Sequence, residues 1–221
     1  MTQTTLTIEA HTGEPALASV IILHGLGASG DDFVPLVKAL DLSAVGAVRF
    51  VMPQAPDRPV TINGGHRMPA WYDIYPDRRT EDEAGLRASQ AEVERLLARE
   101  AARGVPPGRT VLAGFSQGCA MTLLAGLRHP QRLAGLVGLS GYLPLAAQTA
   151  AQRHPANAQT PVFLAHGTQD EVVVPARAEA SRDTLLGLGQ PVDWHTYPMG
   201  HSLCQPEVDD LNAWLVRVLA P

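Results

Sequence analysis

The stretch TVLAGFSQGCAMTLLAGL, residues 110–127, joins an apolar strand to an apolar helix through a sharp turn. At its centre, GFSQG (114–118) places a serine between two glycines. A serine at such a turn is held in a strained conformation that exposes its hydroxyl for nucleophilic attack. Gly114 and Gly118 fit this geometry, because the adjoining strand and helix leave no room for side chains. The pattern predicts Ser116 as a nucleophile; the alternative is a packing turn with an idle serine.

Short apolar runs alternate with longer helical segments along the rest of the chain. Continuous apolar runs are typical of parallel strands that are covered on both faces. The alternation predicts an α/β fold with a doubly wound, mostly parallel sheet, helices on both faces and a single domain over residues 1–221. The candidate strands are SVIILH (19–24), AVRFVM (47–52), TVLAGF (110–115), AGLVGLS (134–140), PVFLAH (161–166) and VDWHTY (192–197), the last near a sheet edge.

Helices are expected over 81–103, 117–129 and 175–188, and from Pro206 onward. Acidic residues at the start of the first and last of these favour the positive end of the helix dipole. Two segments do not fit the alternation of strands and helices: the Pro- and Gly-rich 53–80 and the Ala- and Gln-rich 144–160. We interpret both as long loops, which are usually functional inside a compact domain.

Composition excludes several classes of protein. A net charge of -5 provides no basic surface for nucleic acid. No apolar stretch reaches the ~18–20 residues of a membrane helix, and the first residues lack the basic and apolar regions of a secretory signal. Two cysteines do not make a disulfide framework. We therefore expect a cytoplasmic enzyme or binding protein with no stable membrane insertion.

A nucleophilic serine needs a base and an orienting acid, which follow it in the chain order Ser, Asp/Glu, His. Asp170 comes just after the strand 161–166, at the same sheet edge as Ser116. Glu171 is an adjacent competitor, but Asp170 lies nearer the strand end. His201, in the loop YPMGHSL before the last helix, is the histidine that follows the acid at this edge. The other seven histidines are expected on surfaces, in loops or in structural hydrogen bonds.

The loop HGLGASG (24–30) has the glycine spacing G-x-G-x-x-G after a strand and before a helix. A dinucleotide-binding turn would require an acidic residue about 20 positions later, at the end of the next strand. That strand ends in FVMPQAP and has no acid before Asp57. Acyl transfer instead requires backbone N–H groups that stabilise an oxyanion. We expect these donors to be the N–H groups of Leu26 and Gln117, the latter directly after the nucleophile.

With these residues in place, the chain resembles the phospholipase/carboxylesterase family of α/β-hydrolases, which includes bacterial carboxylesterases and acyl-protein thioesterases. The resemblance covers nearly the whole chain. It rests on LHGLG (23–27), PQAP (53–56), MPAWYDI (68–74), GFSQG (114–118), LSGYLP (139–144), HGTQD (166–170) and GHSLC (200–204). It implies an α/β-hydrolase fold without a large lid domain and a Ser116, Asp170, His201 triad with Leu26 and Gln117 at the oxyanion.

The function expected from this resemblance is a serine carboxylesterase acting on short- to medium-chain acyl esters, with no cofactor and no metal. The alternatives are an acyl-protein thioesterase, a lysophospholipase and, from another class, a non-catalytic binding protein. The substrate would be a small-molecule ester or acyl thioester, and family members are often dimers, so a homodimer is possible.

The resemblance also assigns the segment 53–80 to the region over the active site. It implies that Trp71 lines the site, with Met68, Ile74 and Val172 as further substrate-binding residues. From the residues alone, the alternative is that Trp71 forms a local cluster with Met68, Tyr72 and Ile74 that anchors the loop. Cys119 stands where the family commonly has glycine, and we expect it to be a packed small apolar residue.

Overall fold

The computed structural model describes residues 5–9, 15–77 and 79–220. A seven-stranded sheet has the order β1-β3-β2-β6-β7-β8-β9, and a separate two-stranded hairpin pairs β4 with β5. The strands are β1 (Thr5–Glu9), β2 (Ala18–Leu23), β3 (Val48–Pro53), β4 (Asp57–Val60), β5 (His66–Pro69), β6 (Thr110–Phe115), β7 (Gly135–Leu139), β8 (Val162–Gly167) and β9 (Val192–Tyr197).

All six strands predicted from the apolar runs are present in this sheet and are parallel to one another. β9 forms one edge, as its alternating sequence indicated. β1, which was not predicted, pairs antiparallel with β3 at the other edge. This is the doubly wound, mostly parallel sheet of the α/β-hydrolase fold.

The described residues form five α-helices between strands and a sixth after the last strand: α1 (Val34–Ala39), α2 (Glu83–Ala102), α3 (Gln117–Arg128), α4 (Ala146–Gln152), α5 (Pro175–Gly187) and α6 (Gln205–Val218). The four helices predicted with boundaries correspond to α2, α3, α5 and α6. None of the described helices is both long and apolar enough to cross a membrane.

The interpretation of two segments as long loops was wrong in part. Residues 144–160 contain α4, whose sequence AAQTAAQ is rich in alanine, the strongest helix former. Residues 53–80 contain the β4–β5 hairpin, whose short strands each include a proline. Proline removes a hydrogen-bond donor and weakens the strand signal, so a two-stranded hairpin was not recognised in the sequence.

The core consists of two apolar layers, one on each face of the sheet. Alternate residues of β2 enter opposite layers: Ile21 belongs to the layer that includes residues of α2, α3 and α5, and Ile22 belongs to the layer that includes residues of α1 and α6. Because both faces are covered, the central strands are apolar throughout. The carboxyl ends of β2, β6, β8 and β9 then meet at one edge, and the loops that follow them carry the residues singled out above.

Candidate active site

Ser116 lies on the turn between β6 and α3, with φ of 56° and ψ of −115°. Positive φ is uncommon for a residue with a side chain and marks local strain. Ser116 precedes the first residue of α3, yet its side chain makes no capping hydrogen bond to the helix. The hydroxyl is therefore left for other chemistry, although serine is among the preferred helix caps.

The two glycines of GFSQG are required by crowding at this turn. A Cβ on Gly118 would lie 1.9 Å from the carbonyl oxygen of Leu23, and a Cβ on Gly114 would lie 2.2 Å from the Gly118 backbone. Both obstacles are backbone atoms, which cannot move aside as a flexible side chain can. The structure thus confirms the close approach of strand and helix that the sequence pattern predicted.

Asp170 follows β8 and is buried, with 2% of its surface exposed. Its Oδ1 accepts hydrogen bonds from the backbone N–H groups of Val172 and Val173, both at 2.9 Å. Its Oδ2 lies 2.7 Å from Nδ1 of His201. The neighbouring Glu171 is exposed, so the structure brings Asp170 and not its competitor to the histidine.

His201 reaches this carboxylate from the loop between β9 and α6. Its ring packs on the ring of Phe115, the residue before Ser116, with 4.7 Å between centroids. Since Nδ1 of His201 faces a carboxylate, the favoured tautomer has the proton on Nδ1 and leaves Nε2 as a hydrogen-bond acceptor. That is the form a general base requires.

A second histidine contacts the same carboxylate. Nε2 of the buried His166 donates to the carbonyl oxygen of Val173 at 2.7 Å and lies 3.3 Å from Oδ2 of Asp170. Sequence reasoning assigned His166 to structural hydrogen bonding without finding this partner. The HGTQD spacing, with His166 four residues before Asp170, was the available signal.

The glycine-rich loop 24–30 lies against the serine turn. A Cβ on Gly25 would lie 3.3 Å from Cβ of Ser116, and Gly27 has a left-handed φ of 72°. The N–H of Gly27 donates to the carbonyl oxygen of Pro69 at 2.8 Å. No described residue accepts a hydrogen bond from the N–H of Leu26, so this donor remains open to a substrate atom.

Gln117 is tied to the loop over the site by its side chain. Its Oε1 accepts from the N–H of Trp71 at 3.0 Å, and its Nε2 donates to the carbonyl oxygen of Tyr72 at 2.9 Å. The buried side-chain amide of Gln117 thus holds the loop in place. The same bonds fix the orientation of Gln117, whose backbone N–H is the expected oxyanion donor. The sequence indicated the backbone role of Gln117 but not the role of its side chain.

A pocket of about 350 Å³ opens beside Ser116. Its apolar wall is formed by Leu26, Ile62, Ile74, Val172 and Val173. Polar groups come from Gln117 and Arg177 and from the hydroxyls of Tyr72 and Tyr142. An apolar cavity with a few polar groups is typical of a small-molecule site. Ile74 and Val172 therefore lie where the sequence analysis expected substrate-binding residues.

Trp71 does not line this pocket, and that expectation was wrong. The side chain is fully buried, and its indole N–H donates to the carbonyl oxygen of His24 at 2.8 Å. A buried indole needs such a partner, which explains why it packs inward under the loop. Met68 is half-buried in β5, where its sulfur accepts from Nδ2 of Asn63, and it is not among the residues that line the pocket.

His24 supports the same loop in a neutral state. Burial lowers the pKa of His24 below its ordinary value. Its Nε2 accepts from the N–H of Ala55 at 2.9 Å, so its Nδ1 carries the proton that meets the carbonyl oxygen of Gly25 at 2.7 Å. Both ring nitrogens are thus engaged in holding the loop that carries Leu26.

Comparison with known proteins agrees with this geometry. Residues 5–219 match the family described as Phospholipase/Carboxylesterase. Acyl-protein thioesterase 1 of Yarrowia lipolytica is 40% identical over 213 residues, which cover 93% of this chain and 92% of that protein. Among solved structures, Arabidopsis thaliana SOBER1 has a TM-score of 0.85 at 30% identity, covering 91% of this chain and 99% of that chain.

Acyl-protein thioesterase 2 of Zea mays has a TM-score of 0.83 at 30% identity, covering 97% of this chain and 99% of that chain. The family match extends over nearly the whole length, and the relative from Yarrowia lipolytica is matched almost end to end. The chain belongs to the phospholipase/carboxylesterase family of α/β-hydrolases.

Proposed function

We propose that this protein is a serine hydrolase that cleaves acyl thioesters, including those of S-acylated proteins, through an acyl-enzyme on Ser116. The observation that carries the proposal is the strained, uncapped Ser116 at the sheet edge where Asp170 holds His201 at 2.7 Å. A buried carboxylate that orients an imidazole towards a serine hydroxyl is the arrangement used for acyl transfer.

In the proposed mechanism, Nε2 of His201 takes the proton of the Ser116 hydroxyl as its oxygen attacks the thioester carbonyl. Asp170 fixes the tautomer of His201 and stabilises the imidazolium. The N–H groups of Leu26 and Gln117 stabilise the oxyanion. When the tetrahedral intermediate collapses, the C–S bond breaks and the thiol leaves with the proton from His201. Water then attacks the acyl-enzyme by the same route and releases the carboxylic acid.

The relatives favour thioesters over the simple carboxylic esters that the sequence analysis put first. The similar proteins from Yarrowia lipolytica and Zea mays are named acyl-protein thioesterases. The apolar wall of Leu26, Ile62 and Ile74 suits an acyl chain in either substrate. Because one nucleophile and one oxyanion site serve both bonds, we expect measurable hydrolysis of activated carboxylic esters as a second activity.

The test compares the wild type with Ser116→Ala on an S-palmitoylated peptide and on p-nitrophenyl esters from acetate to palmitate. We expect the variant to lose at least ~10⁴-fold in kcat/KM on every substrate that the wild type cleaves. Ser43→Ala is a matched control, since Ser43 is an exposed serine distant in sequence from the site. A wild type that cleaves neither substrate class and does not react with a fluorophosphonate would contradict the proposal and favour a non-catalytic binding protein.

A further inference from the structure

Arg177 carries the only formal charge among the described residues that line the pocket beside Ser116. It lies in the first turn of α5 and is partly exposed. The other lining groups are aliphatic, phenolic, hydroxyl or amide side chains. A charged guanidinium does not stabilise a bound hydrocarbon chain. Its presence in this wall therefore indicates that the pocket also binds a polar or charged group.

The guanidinium lies over the ring of Tyr142. Its central carbon lies 3.3 Å from the centroid of the Tyr142 ring, and the Tyr142 hydroxyl shares a 2.8 Å hydrogen bond with the hydroxyl of Tyr72. Burial raises the pKa of both phenols, so both remain neutral and neither balances the charge. A guanidinium stacked on a ring keeps its in-plane N–H groups available for a planar acceptor.

No described carboxylate forms an ion pair with Arg177. Two acidic residues border the adjoining crevice, Asp73 and Glu81, but both are engaged elsewhere. Both oxygens of Glu81 accept from the N–H of Leu145, at 3.0 and 3.1 Å. The carboxylate of Asp73 accepts from the N–H groups of Thr61 and Ile74. Among the described residues, the guanidinium of Arg177 therefore has no carboxylate as a direct partner.

We propose that Arg177 binds a carboxylate of the substrate, so that the preferred ester or thioester is anionic near its scissile bond. The inference rests on the proposed function and specifies its substrate class. The guanidinium fork matches a carboxylate in two parallel hydrogen bonds, which are stronger than neutral ones. The carboxylate belongs either to the acyl chain or to the leaving group, as in an acylated cysteine that is followed by an acidic residue.

The experiment measures selectivity with two pairs of substrates. In the acyl arm, the p-nitrophenyl half-ester of adipate is compared with neutral p-nitrophenyl heptanoate. In the leaving-group arm, the hexanoyl thioester of mercaptopropionic acid is compared with that of propanethiol. The quantity followed is the ratio of kcat/KM for the anionic substrate to kcat/KM for its neutral partner, after subtraction of the rate with Ser116→Ala.

We expect Arg177→Gln to lower this ratio by about tenfold or more in one of the two arms, and that arm identifies the side that carries the carboxylate. Arg177→Lys, which retains the charge without the planar fork, should retain part of the selectivity. Arg182→Gln is the matched control, because it removes the same charge from the same helix outside the pocket lining.

A ratio that Arg177→Gln leaves unchanged in both arms overturns the inference, as does an equal drop with Arg182→Gln. Failure of the proposed function gives a different result, in which neither neutral substrate is cleaved by the wild type and Ser116 does not react with a fluorophosphonate. Melting curves of the Arg177 variants check that folding is retained.

Discussion

Nε2 of His166 lies 3.3 Å from Oδ2 of Asp170, the same oxygen that contacts Nδ1 of His201 at 2.7 Å. One buried carboxylate oxygen thus lies between two imidazoles, and only one of them packs beside the serine turn. The second approaches from β8 and donates its proton to the Val173 carbonyl, so it braces the loop that presents Asp170.

Replacing His166 should therefore impair catalysis through Asp170. His166→Leu removes the donor to Val173 and the contact with Asp170, and we expect kcat to fall roughly tenfold with a smaller change in KM. His166→Gln offers an N–H donor again and should recover part of the loss. An unchanged kcat in a folded His166→Leu variant would show that the two backbone N–H groups hold Asp170 without help.

Gly118→Ala should abolish activity and lower the melting temperature. The added methyl group would lie 1.9 Å from the Leu23 carbonyl oxygen, so β2 and α3 must separate and the serine turn must change shape. Gly187→Ala, at the end of α5, is the control, since the added Cβ meets no atom within 4 Å beyond its chain neighbours and the backbone of its own helix. Thermal melts and fluorophosphonate labelling measure both effects, and equal behaviour of the two variants would contradict the crowding argument.

Glu207 should make the stability of the fold depend on pH. Its carboxylate is buried in the first turn of α6, where the backbone N–H of Cys204 offsets only part of the cost of burying the charge. Burial raises the pKa of Glu207 from 4.5 to about 7. Between these values the folded state binds the proton more tightly than the unfolded state, so stability falls as the pH rises from about 4.5 to 7.

Glu207→Gln should therefore be as stable as the wild type near pH 4.5 and more stable at pH 8, by on the order of 1–3 kcal/mol. Asp209→Asn, which removes an exposed carboxylate from the same helix, should not show this divergence. Denaturant unfolding at several pH values in this range measures the free energy of unfolding of each protein. A difference between Glu207→Gln and the wild type that does not grow with pH would refute the assignment.

The two cysteines should differ sharply in reactivity. Cys119 is buried, and burial raises its pKa to about 12, whereas Cys204 is partly exposed. The thiolate is the reactive form, so a disulfide reagent should titrate Cys204 in the native protein and both thiols only after denaturation. Cys204→Ser should leave no rapidly reacting thiol. Fast modification of Cys119 in that variant would contradict its assignment to the packed core.

The sequence was most informative where local pattern and fold coincide. Continuous apolar runs predicted most of the six parallel strands, because strands covered on both faces are largely apolar, and the alternating VDWHTY predicted the strand at the edge. The pentapeptide around Ser116 predicted the crowding of its turn, because a sharp passage from strand to helix brings Gly114 against Gly118 and brings Gly118 against the neighbouring strand β2. The hairpin and α4 were missed because proline and a short alanine-rich run give weak local signals.

Long-range partners account for the other differences. Trp71 turns inward to the carbonyl oxygen of His24, 47 residues earlier in the chain, and no pattern near Trp71 indicates that direction. In the sequence, Arg177 resembles any charged residue on the surface of a helix. Its position in the pocket depends on Tyr142 and on lining residues from other parts of the chain.

The β4–β5 hairpin and the central sheet contribute different parts of the candidate site. Ile62 and Asn63 lie beyond the end of β4 and line the pocket, whereas Ser116, Asp170 and His201 come from the edge of the central sheet. At the base of the hairpin, the N–H of Ala70 donates to the carbonyl oxygen of Pro56, and the N–H of Gly27, in the loop after β2, donates to the carbonyl oxygen of Pro69. At its tip, Gly64 and Gly65 face open space. If the proposed function is correct, changes in the length or side chains of this tip alter which acyl groups enter the pocket and leave Ser116, Asp170 and His201 in place. Under the proposed function, mutations that change the substrate range can thus occur in the hairpin without affecting the residues proposed to carry out the reaction.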